Sequence, residues 1–118
     1  MVKKLTYYKN FNIKKNHQKS IILIGNFDGV HLGHQKLFDS AKRHKKKENL
    51  KIGVVTFDPI PKMFFNKKLK NYRISNINQK TEILRKFNVD FIINKKFDRK
   101  FSKIKSYNFV KNILFKKL

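Results

Sequence analysis

The chain has 118 residues, a mass of 14.2 kDa and a formal net charge of +23, enough for one small domain around a single core. It has no cysteine, which excludes disulfide scaffolds, thiolate metal sites and cysteine nucleophiles. Its longest uninterrupted apolar stretch, Ile21–Ile24, is far short of a membrane span, and no signal-peptide core follows the N-terminal lysines, so the chain reads as cytoplasmic with no membrane partner.

The charge comes from 30 basic residues against 7 acidic ones, a balance that by itself suits polyanions. The basic set, however, is 26 Lys to 4 Arg and travels with 13 Asn, 13 Ile, 12 Phe and a single Ala. Codons for Lys, Asn, Ile and Phe are AT-rich, so compositional drift explains the skew. Readers of base edges favour Arg, whose planar fork fits guanine and phosphate better than an ammonium does. The expectation is therefore that nucleic acid is not the partner. The sequence carries no signal of oligomeric state.

In chain order, Met1–Lys19 alternates weakly through Leu5, Tyr7, Phe11 and Ile13, which predicts an edge strand and a loop. Ser20–Ile24 is a short apolar run ending at Gly25, the pattern of a strand buried on both faces. From Gly33 to about Lys47, Leu37, Phe38, Ala41 and His44 recur at helical spacing, with Lys45, Lys46 and Lys47 suited to the helix C-terminus. Lys51–Phe57 is a second β-rich run, stopped by Asp58-Pro59. Ser75 or Asn76 is placed to cap a helix through Phe87 with Ile77, Leu84 and Phe87 on one face. Val89–Ile93 reads as a third strand, and Ser106 as the cap of a last helix carrying Phe109, Val110, Ile113 and Leu114. Strands alternating with helices predict an α/β fold: a parallel sheet with right-handed crossovers and helices on both faces. Ligands of such sheets lie outside the carboxyl ends of the strands. The chemistry is expected in the loops after Ile24, Phe57 and Ile93.

The first of these loops, Gly25-Asn26-Phe27-Asp28-Gly29-Val30-His31-Leu32-Gly33-His34, holds three of the four glycines. Glycine at 25, 29 and 33 admits positive φ and close approach of a ligand to the backbone. The helix that follows presents free N–H groups and a positive dipole end, an anion site. His31 and His34, three apart, are placed to donate hydrogen bonds to phosphate oxygens there and to offset charge developing in phosphoryl transfer. Asp28 has several open uses: orienting an imidazole, or holding a water or a metal ion. A permanent metal cage from Asp28, His31 and His34 would need further acids, which are scarce. A transient Mg²⁺ arriving with a nucleotide needs few protein ligands.

His31-Leu32-Gly33-His34 resembles the HxGH signature of nucleotidylyltransferases. The longer string from Gly25 to Gln35 is similar to the N-terminal FAD synthetase domain of prokaryotic bifunctional riboflavin kinase/FMN adenylyltransferase. Val54-Val55-Thr56-Phe57-Asp58-Pro59-Ile60-Pro61, with Phe64-Phe65 just beyond, resembles that family's second motif, in which Thr-Phe-Asp/Glu-Pro-His-Pro ends a strand. Ile60 departs from it where the family carries His; without the resemblance the segment would read as an ordinary turn. Arg73-Ile74-Ser75, Lys80-Thr81-Glu82, Val89–Ile93, Phe97-Asp98, Phe101, Ser106 and Phe109-Val110 continue the likeness. By themselves Phe97 and Phe101 read as core residues.

The resemblance implies a Rossmann-like HxGH nucleotidylyltransferase fold, with residues 1–118 as the N-terminal portion of a single FAD synthetase domain. The family's flavin-receiving Gly-Asp-Phe-Arg-Phe-Gly-like segment, its triphosphate-binding Arg segment and its riboflavin kinase domain have no counterpart in the sequence. The expected fold is thus incomplete at its C-terminus, with the third strand's edge uncovered. The implied activity is adenylyl transfer from ATP to FMN, giving FAD and pyrophosphate, with Mg²⁺ entering on ATP; this chain alone is expected to be weakly active or inactive. His31 and His34 are the implied catalytic pair. Gly25, Asn26, Phe27, Asp28, Gly29 and Gly33 are the implied nucleotide cradle, and Asp58 is assigned to metal or ligand orientation. Two competing readings are a basic nucleic-acid-binding module, which would bind polynucleotides with steep salt dependence, and a non-catalytic nucleotide-binding fragment.

Overall fold

The computed structural model describes residues 5–25, 27, 32–58 and 77–118. Four parallel strands make the sheet: β1 (Thr6–Tyr8), β2 (Ile21–Ile24), β3 (Ile52–Asp58) and β4 (Phe91–Lys96), in the spatial order β1-β4-β3-β2. Helices α1 (Leu32–Glu48) and α2 (Ile77–Lys86) precede β3 and β4. After β4 come the short α3 (Arg99–Ser102) and α4 (Ser106–Asn108), the latter running on as a π-helical segment, Phe109–Phe115. The predicted caps Ser75 and Asn76 lie outside the described residues, as do Ile60 and the two prolines beside it.

Alternation along the strands sorts the core into two layers. Leu23, Ile52, Val54 and Ile92 point to one face, against Phe38 and Ala41 of α1 and Leu84 of α2. Val55, Phe91 and Ile93 point to the other, against Phe11, Ile13, Leu118 and the half-buried Phe101, Phe109, Ile113 and Leu114. Helices therefore cover both faces, as the alternating pattern predicts.

Both returns from helix to strand use asparagine in the left-handed region, Asn49 (φ 55°) after α1 and Asn88 (φ 63°) after α2. Asn tolerates that conformation better than other residues with a Cβ, and it ends a helix as glycine does. Leu50 N–H reaches back to the Lys45 carbonyl (3.3 Å), closing the last turn of α1.

Several expectations need correction. The Ile21–Ile24 run predicts a strand buried on both faces, yet among the described residues β2 pairs with β3 alone and Ile24 is 44% exposed. The third strand starts at Phe91, because Asp90 ahead of it is occupied as a junction: its carboxylate accepts the Ile52 N–H (2.8 Å) and pairs with Lys45 Nζ (2.9 Å). That strand's outer edge is covered by β1, in register Thr6↔Phe91 to Tyr8↔Ile93. The buried side of α1 runs through Phe38 and Ala41, whereas Leu37 is 41% exposed and His44 Nδ1 lies 2.8 Å from its own helix at the Ser40 carbonyl. Ser106 is the first residue of α4, and the capping position is Lys105. The π-helical turn places residues four and five apart on one side, so Phe109, Ile113, Leu114 and Leu118 face the core while Val110 turns outward.

The one glycine outside the first loop, Gly53, is set by a ring. A Cβ built there would lie 2.1–2.8 Å from three atoms of the Phe91 ring, backbone against aromatic face. Phe91 stacks in turn on the buried His17 (4.6 Å, 21°), whose Nδ1 lies 2.7 Å from Tyr8 Oη. This pins the N-terminal segment to the sheet. Gly53→Ala is expected to lower stability by roughly 1–3 kcal/mol, since neither strand nor ring can yield, as denaturant unfolding would measure.

Burial holds the His17 pKa below its ordinary 6.5; Lys51 adds to this, Asp90 opposes it, and Lys14 adds again. The folded state favours neutral imidazole, so below pH 6.5 the unfolded chain binds more protons and stability falls as pH drops toward the folded pKa. The melting temperature should therefore fall more steeply between pH 7.5 and 5.5 in the wild type than in His17→Gln (pH values set about one unit either side of the free imidazole pKa).

Candidate functional site

The carboxyl ends of the four strands form one edge of the sheet, and the sequence-assigned residues that the structure describes stand along it. Gly25 follows β2 and donates its N–H to the Val55 carbonyl (3.1 Å), so the exit of β2 is still tied to β3. Phe27 then folds back. It is 1% exposed and has a φ of 48°, a strained value for a bulky residue, sustained by burial of its ring.

The glycines of this loop are expected to admit positive φ; Gly25 does not adopt it, Phe27 does, and Gly29 lies outside the described residues. Gly25 serves close approach, since an added Cβ would come within 3.2 Å of two atoms of the Phe27 ring.

Helix α1 begins at Leu32, with Gly33 and His34 in its first turn, so the positive end of the helix dipole faces the same edge. The half-buried His34 ring lies 5.1 Å from that of Phe27, tilted by 58°. Phe27 meets Phe38 at 5.3 Å, and Phe38 stacks on Phe87 at 4.8 Å and 20°. His34 is the outer end of a row of four rings that starts at α2, which limits where its imidazole can swing. Asn26, Asp28, Gly29 and His31 lie outside the described residues.

Asp58 is the last residue of β3, half-buried, and its backbone carbonyl accepts the Phe97 N–H (3.1 Å). Alternation from Ile52 and Val54 puts Asp58 on the face covered by α1, the face of His34. It opens on a polar cavity of about 410 Å³ with Tyr7, Lys9, Asn94 and Lys96, where Asn94 Nδ2 donates to Tyr7 Oη (2.9 Å).

On the opposite face the same edge carries a feature the sequence reading passed over. Phe57, Phe97, Phe101, Ile104, Phe109 and Val110 line an apolar cavity of about 250 Å³. The Phe57 ring is 5.7 Å from Phe97 and 5.5 Å from Phe101, and Phe101 is 6.0 Å from Phe109. Asp98 holds this corner by capping α3, its Oδ1 accepting the Phe101 N–H (2.8 Å). Phe101, read from sequence as core, does pack against the second core layer, and both it and Phe97 also wall this cavity. Their i, i+4 spacing just after the predicted strand Val89–Ile93 was the available signal. Among the described residues no three His, Asp or Glu side chains come together as a metal cluster.

Comparison with known proteins gives a consistent result. Residues 13–118 match the profile of the FAD synthetase family. A bifunctional riboflavin kinase/FMN adenylyltransferase from Buchnera aphidicola subsp. Schizaphis graminum is 40% identical over 107 residues, covering 91% of this chain and 34% of its own length. The protein of the same name from Escherichia coli K12 is 33% identical over 108 residues, with coverage of 91% and 34%. The chain thus spans about a third of the length of the curated relatives it matches. A solved structure, described as a macrolide-efflux protein from Streptococcus pneumoniae, superimposes with a TM-score of 0.70 at 27% identity, covering 91% of this chain and 36% of that one. No helix among the described residues here is long and apolar enough to cross a membrane.

The row of rings makes Phe27 the support of the edge. Phe27→Ala is expected to cost about 3–5 kcal/mol in urea unfolding and to shift the ring resonances of His34, its direct neighbour.

Proposed function

The chain belongs to the FAD synthetase family, and from that membership we propose that it forms the nucleotide-binding front of an FMN adenylyltransferase, taking ATP and FMN to FAD and pyrophosphate in the cytoplasm. The observation that carries this reading is the pairing, along one sheet edge, of a helix N-terminus bearing His34 with an apolar cavity walled by four phenylalanines. A helix N-terminus with an imidazole in its first turn suits a phosphate chain. An apolar cavity of about 250 Å³ walled by the rings of Phe57, Phe97, Phe101 and Phe109 suits a planar heteroaromatic ring such as isoalloxazine.

In this reading an oxygen of the FMN phosphate attacks the α-phosphorus of ATP. The bond from that phosphorus to the bridging oxygen breaks, and its electron pair leaves with pyrophosphate. No protein nucleophile takes part. His31 and His34 donate to the phosphate oxygens as charge builds on them, and the α1 N–H groups hold the chain of phosphates in line. Gly25, Asn26, Phe27, Asp28, Gly29 and Gly33 cradle the nucleotide. Mg²⁺ arrives bound to ATP as part of the substrate; Asp58 with Asn94 offers it oxygen ligands, which suit a hard cation that keeps most of its water. The chain by itself is expected to turn over slowly.

The test is FAD formation from ATP, FMN and Mg²⁺, followed by chromatography in a full-length protein that contains these residues. His34→Ala should lower the rate by about 10²–10³ while flavin binding, read by fluorescence quenching, changes little. An unchanged rate would remove His34 from the reaction. Unimpaired flavin binding in Phe101→Ala would remove the aromatic cavity from it.

A further inference from the structure

Away from the sheet edge, two neighbouring cavities share Ile104, Ile113 and Lys117 and form one groove along α3 and the last helix. The larger, about 610 Å³, is lined by Lys103, Lys105, Asn108 and Asn112 together with those three. The smaller, about 210 Å³, adds Lys95, Lys100, Phe11, Phe101 and Asp98.

Five lysines therefore line one groove: Lys95, Lys100, Lys103, Lys105 and Lys117. None of the five forms an ion pair among the described residues, where Lys45–Asp90 and Arg85–Glu82 do. The single carboxylate in the lining, Asp98, is engaged as the cap of α3. Four of the five lysines are exposed, and Lys95 is half-buried with its Nζ 5.6 Å over the Phe101 ring. Like charges lining one groove repel one another, and an anion in the groove relieves that repulsion.

We infer that this groove binds a linear chain of phosphates, a condensed phosphate of three or more units, through the five lysines and the Asn108 and Asn112 amides. Ammonium groups are point charges that donate to phosphate oxygens from any direction, without the planar match that Arg imposes. The lining contains no Arg, and of its two rings Phe11 is buried and Phe101 is half-buried with Lys95 Nζ over it. A single-stranded nucleic acid needs a row of stacking platforms along the charge, and the groove lining offers no such row. A phosphate chain without bases fits what is there. The combined groove is in the size range of small-ligand pockets and shares Phe101 and Ile104 with the flavin-sized cavity.

The experiment is calorimetric titration of the purified chain with orthophosphate, tripolyphosphate, a longer polyphosphate and an oligouridylate of matched charge, at low salt and without Mg²⁺. Affinity should climb from orthophosphate to the long polyphosphate. The triple substitution Lys103→Gln, Lys105→Gln and Lys117→Gln should weaken polyphosphate binding by about tenfold, as expected for three exposed ion pairs. A control triple of equal charge loss on exposed α1 positions, Lys42→Gln, Lys46→Gln and Lys47→Gln, should leave it within about twofold. Equal losses in both triples would overturn the groove in favour of diffuse charge, and no loss in either would place the anion elsewhere. Tighter binding of the oligouridylate than of polyphosphate would overturn the occupant. Circular dichroism of all variants would register any loss of fold, and these exposed positions should show none.

Discussion

A single carboxylate ties the sheet together. Asp90 is 8% exposed and sits where four elements begin or end. Its carboxylate takes the Ile52 N–H and the Lys45 ammonium, its own N–H goes to the Ile52 carbonyl (2.8 Å), and its carbonyl receives the Thr6 N–H (3.2 Å). One residue thus sets the starting register of β3, the approach of β1 and the seating of the C-terminal end of α1. A buried charge is tolerable only when paired and hydrogen-bonded, and Asp90 has both an ion pair and a backbone donor in a chain with 7 acids to 30 bases. Lys45 also reaches the Asn88 carbonyl (3.2 Å), so the helix-to-strand returns before β3 and β4 share a cation. The opposite edge of the sheet, where ligands would bind, is held in alignment by this distant knot.

The sheet edge divides its labour by the pleat. Phe57 and Asp58, consecutive on β3, point to opposite faces, the first into the aromatic cavity and the second toward the polar one. An apolar cavity and a polar one can then open from adjacent residues without mixing. Phe27 contributes rigidity by a different route. Its strained backbone is compensated by a fully buried ring, and the rings on either side pass that restraint to His34.

Much of this was readable in the residues. Alternating strand and helix patterns led to a parallel sheet covered on both faces, and the glycine-rich loop pointed to the edge where α1 begins. The misreadings have local causes. Ile21–Ile24 looks like an interior strand because periodicity reports which side chains are apolar, while the number of neighbours depends on pairing. Val89 and Asp90 read as strand because nothing in a linear pattern marks a carboxylate that will cap two elements at once. The last helix reads as an ordinary one with Val110 among its apolar residues, whereas the wider π turn leaves Val110 outward and brings Leu118 to the core. For Phe97 and Phe101 the core reading missed the cavity they also wall, since an aromatic at helical spacing gives the same signal lining a pocket as filling one. The remaining loop residues of the candidate site, His31 among them, rest on the sequence alone.

Gly53 shows how composition and sterics pull against each other. Codon usage that favours Lys, Asn, Ile and Phe works against glycine, whose codons are GC-rich, and only 4 glycines remain in 118 residues. Where the backbone merely needs to turn, as after α1 and α2, asparagine has taken the part glycine plays elsewhere. Beneath Phe91 no such replacement exists, because the demand there is for empty volume rather than for a torsion angle, and asparagine brings a Cβ like any other residue. Mutational drift in such a genome is filtered by geometry: it passes freely through turns and stops at a ring.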